Sequence, residues 1–126
     1  MFKLNHISVS LANSIANYVS NEGYPTENRV LILSPKDQDT KVGNIIVPGT
    51  TKEGMPREGV VIMTGEITED YRTYKDLLKP GRICVYGLYA GKEIEIELPE
   101  DIKVDNYEFT ILSLNEVIFV RNNKNI

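Results

Sequence analysis

From Arg29 onward the chain is a succession of short, largely β-branched runs cut apart by turn residues. They are Arg29-Val30-Leu31-Ile32-Leu33, Gly59-Val60-Val61-Ile62-Met63, Arg82-Ile83-Cys84-Val85-Tyr86, Lys92-Glu93-Ile94-Glu95-Ile96, Phe109-Thr110-Ile111-Leu112 and Val117-Ile118-Phe119-Val120. Runs this short, with turn signals between them, point to strands and hence to a small all-β barrel or sandwich. Lys79-Pro80-Gly81 reads as a tight turn, with proline presetting φ and glycine permitting a positive one. Glu93, Glu95 and Glu97 alternate with Ile94, Ile96 and Leu98, which predicts one apolar face inward and one acidic face outward.

Two segments break this texture. Residues 1–24 are rich in Asn and Ser, and the apolar positions Leu4, Ile7, Leu11, Ile15, Tyr18 and Val19 suit one face of a helix, whereas Ile7, Val9 and Leu11 alone suit a strand. A short helix near 10–20 is expected, with a boundary at Gly23 and Pro25. The chain therefore divides into an N-terminal extension, 1–27, and a β domain, 28–126. The second break, about 35–58, is mostly polar and lacks periodicity, and loops of that length in compact domains are commonly functional or disordered. Its four basic residues (Lys36, Lys41, Lys52, Arg57) balance four acidic ones (Asp37, Asp39, Glu53, Glu58), and its apolar triplet Ile45-Ile46-Val47 has nothing local to pack on.

A chain of 126 residues, 41% hydrophobic and 25% charged, supports one globular domain. The net charge of −4 argues against nucleic acid, whose binding rests on Lys and Arg releasing counterions from phosphates. Cys84, the only cysteine, sits in an apolar run and reads as a small buried hydrophobe. No apolar stretch is long enough to span a bilayer, and the first residues form no continuous secretory core, so a cytoplasmic location is expected. Catalysis finds no footing: His6 is the only histidine and reads as a surface residue, and there is no Gly-x-Ser-x-Gly or Gly-Lys-Ser/Thr motif. Neither an enzyme nor a metal or cofactor site is expected.

In order along the chain, several motifs resemble those of the GroES-type co-chaperonin family. Asn28-Arg29-Val30-Leu31-Ile32 is similar to the family's opening Asp-Arg-Val strand, and Gly43-Asn44-Ile45-Ile46-Val47 to the Gly-Gly-Ile-Val-Leu of its mobile loop. Gly59 to Gly65 resembles the strand that follows, and Leu78-Lys79-Pro80-Gly81-Arg82-Ile83 the Val-Lys-Val-Gly-Asp turn. Tyr89-Ala90-Gly91-Lys92-Glu93-Ile94 is nearly the Tyr-Ala-Gly-Thr-Glu-Val motif, and Leu114 to Val120 resembles the closing Asp-Ile-Leu-Ala-Ile strand. The likeness runs from about Asn28 to Val120. The chain departs from the pattern in its N-terminal extension, in an insertion at about 97–106 and in a divergent roof at about 66–78. Such appendages resemble phage-encoded relatives, whose working place would be the host cytoplasm.

The resemblance implies a GroES-like irregular β-barrel with a mobile loop and a roof hairpin, assembled as a homo-heptamer. The ring would cap a GroEL-type chaperonin in a nucleotide-dependent way and close its chamber over unfolded protein substrates. ATP or ADP would belong to the chaperonin, leaving this chain without a cofactor and without nucleic-acid or membrane partners. By carry-over, Ile45, Ile46 and Val47 would anchor the chaperonin. Tyr89, Tyr71 and Tyr74 would face the cavity, although the plainer reading has the last two packing the roof. Val30, Leu31, Ile32 and Leu33 of one subunit would join Val117, Ile118, Phe119 and Val120 of the next. The stretch 92–108, with two basic residues against seven acidic, is either a hydrophilic cavity wall or a merely solvated face. The competing reading of the whole chain is a small β-barrel assembly module, for example a phage structural protein, gripping another partner with the 35–58 loop.

Overall fold

The computed structural model describes residues 7–36, 41–42, 45–46 and 56–125. Helix α1 (Val9–Val19) precedes eight strands: β1 (Arg29–Pro35), β2 (Lys41–Val42), β3 (Ile45–Ile46), β4 (Arg57–Thr64), β5 (Ile83–Tyr86), β6 (Lys92–Ile94), β7 (Tyr107–Ser113) and β8 (Val117–Arg121). A short helix, α2 (Thr73–Leu77), lies between β4 and β5. Six strands form one antiparallel sheet in the order β6-β7-β1-β4-β5-β8, and β2 pairs only with β3 in a separate two-stranded ribbon. All six β-branched runs of the sequence appear as the six strands of the main sheet.

β1 lies in the middle. Its register is Val30↔Leu112 and Leu33↔Phe109 on one side and Val30↔Thr64 and Leu33↔Val60 on the other. Alternate residues therefore serve two cores, and this accounts for an unbroken apolar run where a half-exposed strand would alternate. Leu31 and Leu33 join Val60, Ile62, Tyr107 and Phe109 on one face, while Val30 and Ile32 join Val61, Cys84, Tyr86, Leu112 and Leu114 on the other. A register shift between Leu31 and Ile32 opposes one extra β4 residue to β1, a bulge that turns both Ile62 and Met63 toward the first core. Ser34, fully buried, is bonded to the Tyr86 hydroxyl at 2.8 Å and to Thr110 Oγ1 at 3.3 Å, so these three hydroxyls inside the sheet satisfy one another.

The helix expected near 10–20 is α1. Ser8 caps it by accepting from the Leu11 amide at 3.1 Å, and Ile15 and Val19, four apart, share a face with Ala12. All three are buried with Ile7 in the first core. The N-terminal extension thus shares a core with the β domain. The 97–106 insertion closes the same core: it carries a single 3-10 turn, Glu100–Ile102, and Leu98, Ile102 and Val104 pack beside α1. Gly81 has φ +96°, as the Pro-Gly turn predicts, and a Cβ there would stand 2.9 Å from Val9 Cγ1. The turn is shaped to receive the start of α1.

Three expectations are corrected. The sheet ends at β6 and β8, so hydrogen bonding does not close it into a barrel; β6 stops at Ile94, and the chain then leaves the sheet for the insertion. β6 is exposed throughout, without the apolar face its alternation promised, although Ile96 and Leu98 beyond it reach the core. The roof is helical: Glu69–Tyr71 forms a 3-10 turn that leads directly into α2. Tyr71 and Tyr74, three residues apart, fall on one side of this helical stretch and pack on the second core, which a hairpin's alternation would not achieve.

Candidate functional site

Three surfaces correspond to the residues singled out in the sequence. The first is the β2–β3 ribbon. Lys41 pairs with Ile46 and Val42 with Ile45, and neither strand joins the main sheet. Ile45 and Ile46 are therefore not part of an edge strand of the main sheet. Val47 lies outside the described residues, as does His6.

The second is the free edge at β8. Cys84↔Val120 and Val85↔Phe119 pair β8 to β5 on one side, while its other edge carries no strand among the described residues. Ile118 is 65% and Phe119 56% exposed, unusually bare for large apolar side chains at a sheet margin. Arg121 reaches over the Phe119 ring at 5.5 Å and bonds Glu58 at 3.1 Å. The partner expected for this edge, Val30 to Leu33, is not available. These residues are at most 2% exposed, and both edges of β1 are already bonded within the subunit. The carry-over fails because the family's opening motif here begins the central strand.

An extended stretch, residues 24–27, leads into β1, and sequence reasoning missed it. Tyr24 is 73% exposed beside buried Pro25. Asn28 anchors its end from the left-handed region (φ 58°), accepting at Oδ1 from the Thr68 amide at 2.9 Å while its own amide donates to Glu66 O at 2.8 Å. A Cβ on Gly65 would collide with the Thr26 carbonyl, so glycine is required for the stretch to lie against the end of β4. The signal in the sequence is the Gly23 and Pro25 punctuation, which reads only as a boundary inside the N-terminal extension 1–27.

The third surface surrounds the acidic stretch. A cleft of about 620 Å³ is floored by Leu33, Ile96, Val104 and Phe109 and edged by Glu93, Glu95, Glu97 and Asp105. Glu108 also lines it. Its carboxyl is pushed up from the ordinary value of 4.5, first by burial and then by the charge and side-chain hydrogen bond of Glu93, against a smaller opposing pull from Arg57 and Lys36. Tyr89 does not line the cleft; it is 91% exposed in the turn before β6. Tyr71 and Tyr74 do not share its openness; they are half-buried, with ring centroids 5.8 Å apart. Cys84 is fully buried, and its thiol is pushed up to about 12 by burial, which keeps it protonated and unreactive.

Comparison with known proteins adds the lineage. The family model "Chaperonin 10 Kd subunit" matches residues 23–120, which takes in every strand of the sheet but not α1. Co-chaperonin GroES of Exiguobacterium sibiricum is 33% identical over 100 residues, covering 78% of this chain and 97% of that protein. Co-chaperonin GroES of Marinobacter nauticus is 32% identical over 95 residues, 74% of this chain and 90% of the relative. That of Bacteroides fragilis is 41% identical over 73 residues, 58% and 77% of the two chains. With the six strands, the Pro-Gly turn and the Tyr-Ala-Gly motif all inside the matched span, the chain belongs to the chaperonin 10 kDa subunit family, the GroES-type co-chaperonins.

Proposed function

We propose that this chain is the subunit of a seven-membered ring that caps a GroEL-type chaperonin in a nucleotide-dependent way and closes its chamber over a folding protein. The observation that supports this most directly is the ribbon at Lys41–Ile46, which stands apart from the main sheet and carries Ile45-Ile46. Burial of Ile45, Ile46 and Val47 in an apolar groove would contribute about 1.5–3 kcal/mol each. Ordering the flanking chain costs about 1–2 kcal/mol per residue, so one loop binds weakly. Seven loops on one ring bind tightly, since each contact after the first is intramolecular. A lid held this way can seal a chamber and still leave it.

The ring joint is assigned to the free edge of β8, with Ile118 and Phe119, and its partner to the extended stretch at Tyr24 of the neighbouring subunit. A heterologous contact of this kind, between two different patches, is what a closed ring requires. Tyr89, 91% exposed, is assigned to the cavity. Nucleotide belongs to the chaperonin.

Size-exclusion chromatography of the protein mixed with a purified GroEL-type ring tests the reading, with ADP, with ATP and without nucleotide. Co-elution that depends on nucleotide is expected. Separate elution under every nucleotide condition, across several chaperonins, would overturn the capping function.

A further inference from the structure

The residues after β8 fold back on the start of α1 through one side chain. Asn123 Nδ2 donates to the carbonyl oxygens of Ile7 and of Gly81, each at 2.9 Å, and its Oδ1 accepts from the Asn125 amide at 2.9 Å. The Asn125 carbonyl in turn accepts from the Val9 amide at 3.0 Å, supplying a partner to a donor at the helix start. The β5–β8 register Ile83↔Arg121, continued two residues, brings Asn123 opposite Gly81, so the amide extends the ladder by one side-chain rung. Val9 sits on the same glycine, where a Cβ would crowd it at 2.9 Å. Four pieces of chain meet here: the start of α1, the β4–β5 turn, the end of β8 and the tail.

Neither Ile7 nor Asn123 lies within residues 23–120, the span shared with the family. Two additions to the common domain are thus bonded to one another. They meet at the end of the strand whose opposite edge carries no strand among the described residues; besides this staple, β8 is held by four-residue β5, by the Arg121–Glu58 pair and by Val117 and Val120 on the second core.

We propose that Asn123 is a positioning residue for the ring joint: by tying β8 to the docked N-terminal helix, it fixes the edge that the neighbouring subunit pairs with, and it makes assembly conditional on α1. This rests on the assignment of β8 to the joint given above. A helix that undocks would take the Ile7 carbonyl from Asn123 and the Val9 amide from the Asn125 carbonyl, leaving Asn123 with Gly81 alone of its two carbonyl partners and letting the end of β8 fray. Flexible edge strands pair poorly because the ordering cost returns at each joint.

The test compares Asn123→Ala, which deletes the staple, with Thr110→Ala, which removes a buried hydrogen bond to Ser34 from β7, outside the core that holds α1. Dilution monitored by analytical ultracentrifugation gives the subunit concentration at half-dissociation. Asn123→Ala is expected to raise it about tenfold or more, whereas Thr110→Ala lowers the melting temperature without moving it. Equal dissociation of Asn123→Ala and the parent chain, or an equal shift in Thr110→Ala, would overturn the proposal. Amide exchange at residues 117–121 in the dissociated subunit is the second readout. Faster exchange in Asn123→Ala is expected, and unchanged exchange would refute the staple even if the parent chain proves monomeric. A monomeric parent would itself refute the ring, a separate failure.

Discussion

Glu108 shows how a single side chain acquires properties from its neighbours. Its raised carboxyl means that the folded subunit holds a proton more tightly than the unfolded chain does. The associated stabilisation is fully present below the ordinary value of 4.5 and is lost as pH rises through the raised one. Glu108→Gln, a permanent mimic of the protonated form, is therefore expected to gain in urea midpoint on the parent chain as pH is raised from 4.5 toward neutrality. A difference between the two that stays constant with pH would show that Glu108 titrates normally. Because the charge and hydrogen bond of Glu93 help to raise it, Glu93→Gln should pull the Glu108 carboxyl down when followed by carbon-detected NMR; no movement would refute that contribution. At this scale the sequence was readable wherever a residue's role is set by its own chemistry. Gly81 was recognisable from the Pro-Gly turn, and Cys84 from the apolar run around it. Glu108 and Asn123 were not, because their roles come from groups brought close only by the fold; Asn123 and Ile7 stand 116 residues apart in the chain.

The elements divide in the same way. Six β-branched runs became six strands because a strand buried on one or both faces announces itself by side-chain type alone. The roof, expected as a hairpin, is helical, and the structure of the insertion was not legible, because both answer to partners. Tyr71 and Tyr74 turn helical to reach the second core, and Ile102 has its place only because α1 is there. The helix was located correctly, yet its importance was hidden, since nothing in an Asn- and Ser-rich segment says that Ile15 will be fully buried. Ile15→Ala is expected to cost about 2–5 kcal/mol, the usual range for emptying a core site of this size. A denaturation midpoint unchanged from the parent would mean that α1 is not docked in solution. The ribbon behaves oppositely. Ile46→Asp should abolish co-elution with the chaperonin ring while leaving the melting temperature within about 1–2 °C, since Ile46 pairs in the ribbon and not in the main sheet. Capping that survives the change would remove the anchor assignment, because a carboxylate enters an apolar groove only at high cost.

The whole molecule is a sheet with two free ends, and assembly is proposed to use one of them. Seven chains of 14.2 kDa give a particle of about 99 kDa, and Phe119→Asp at the bare edge should shift it toward the monomer in sedimentation velocity. A particle of undiminished mass would exclude β8 from the joint. The family resemblance put β1 and β8 at the joint; β8 keeps an edge without a strand among the described residues, whereas β1 is bonded on both sides, since likeness of motifs gives order along the chain but not which strand ends up inside. The central place of β1 has another consequence, in time. Its two neighbours are completed at very different moments of synthesis: β4 ends at Thr64, but Arg29 meets Ser113 and Pro35 meets Tyr107. At about 5–20 residues per second, β7 follows β1 from the ribosome by roughly 4–16 seconds. Throughout that interval a strand with six of its seven residues destined for burial has at least one edge bare, and it is at this stage that a subunit of this family would itself most need protection from aggregation.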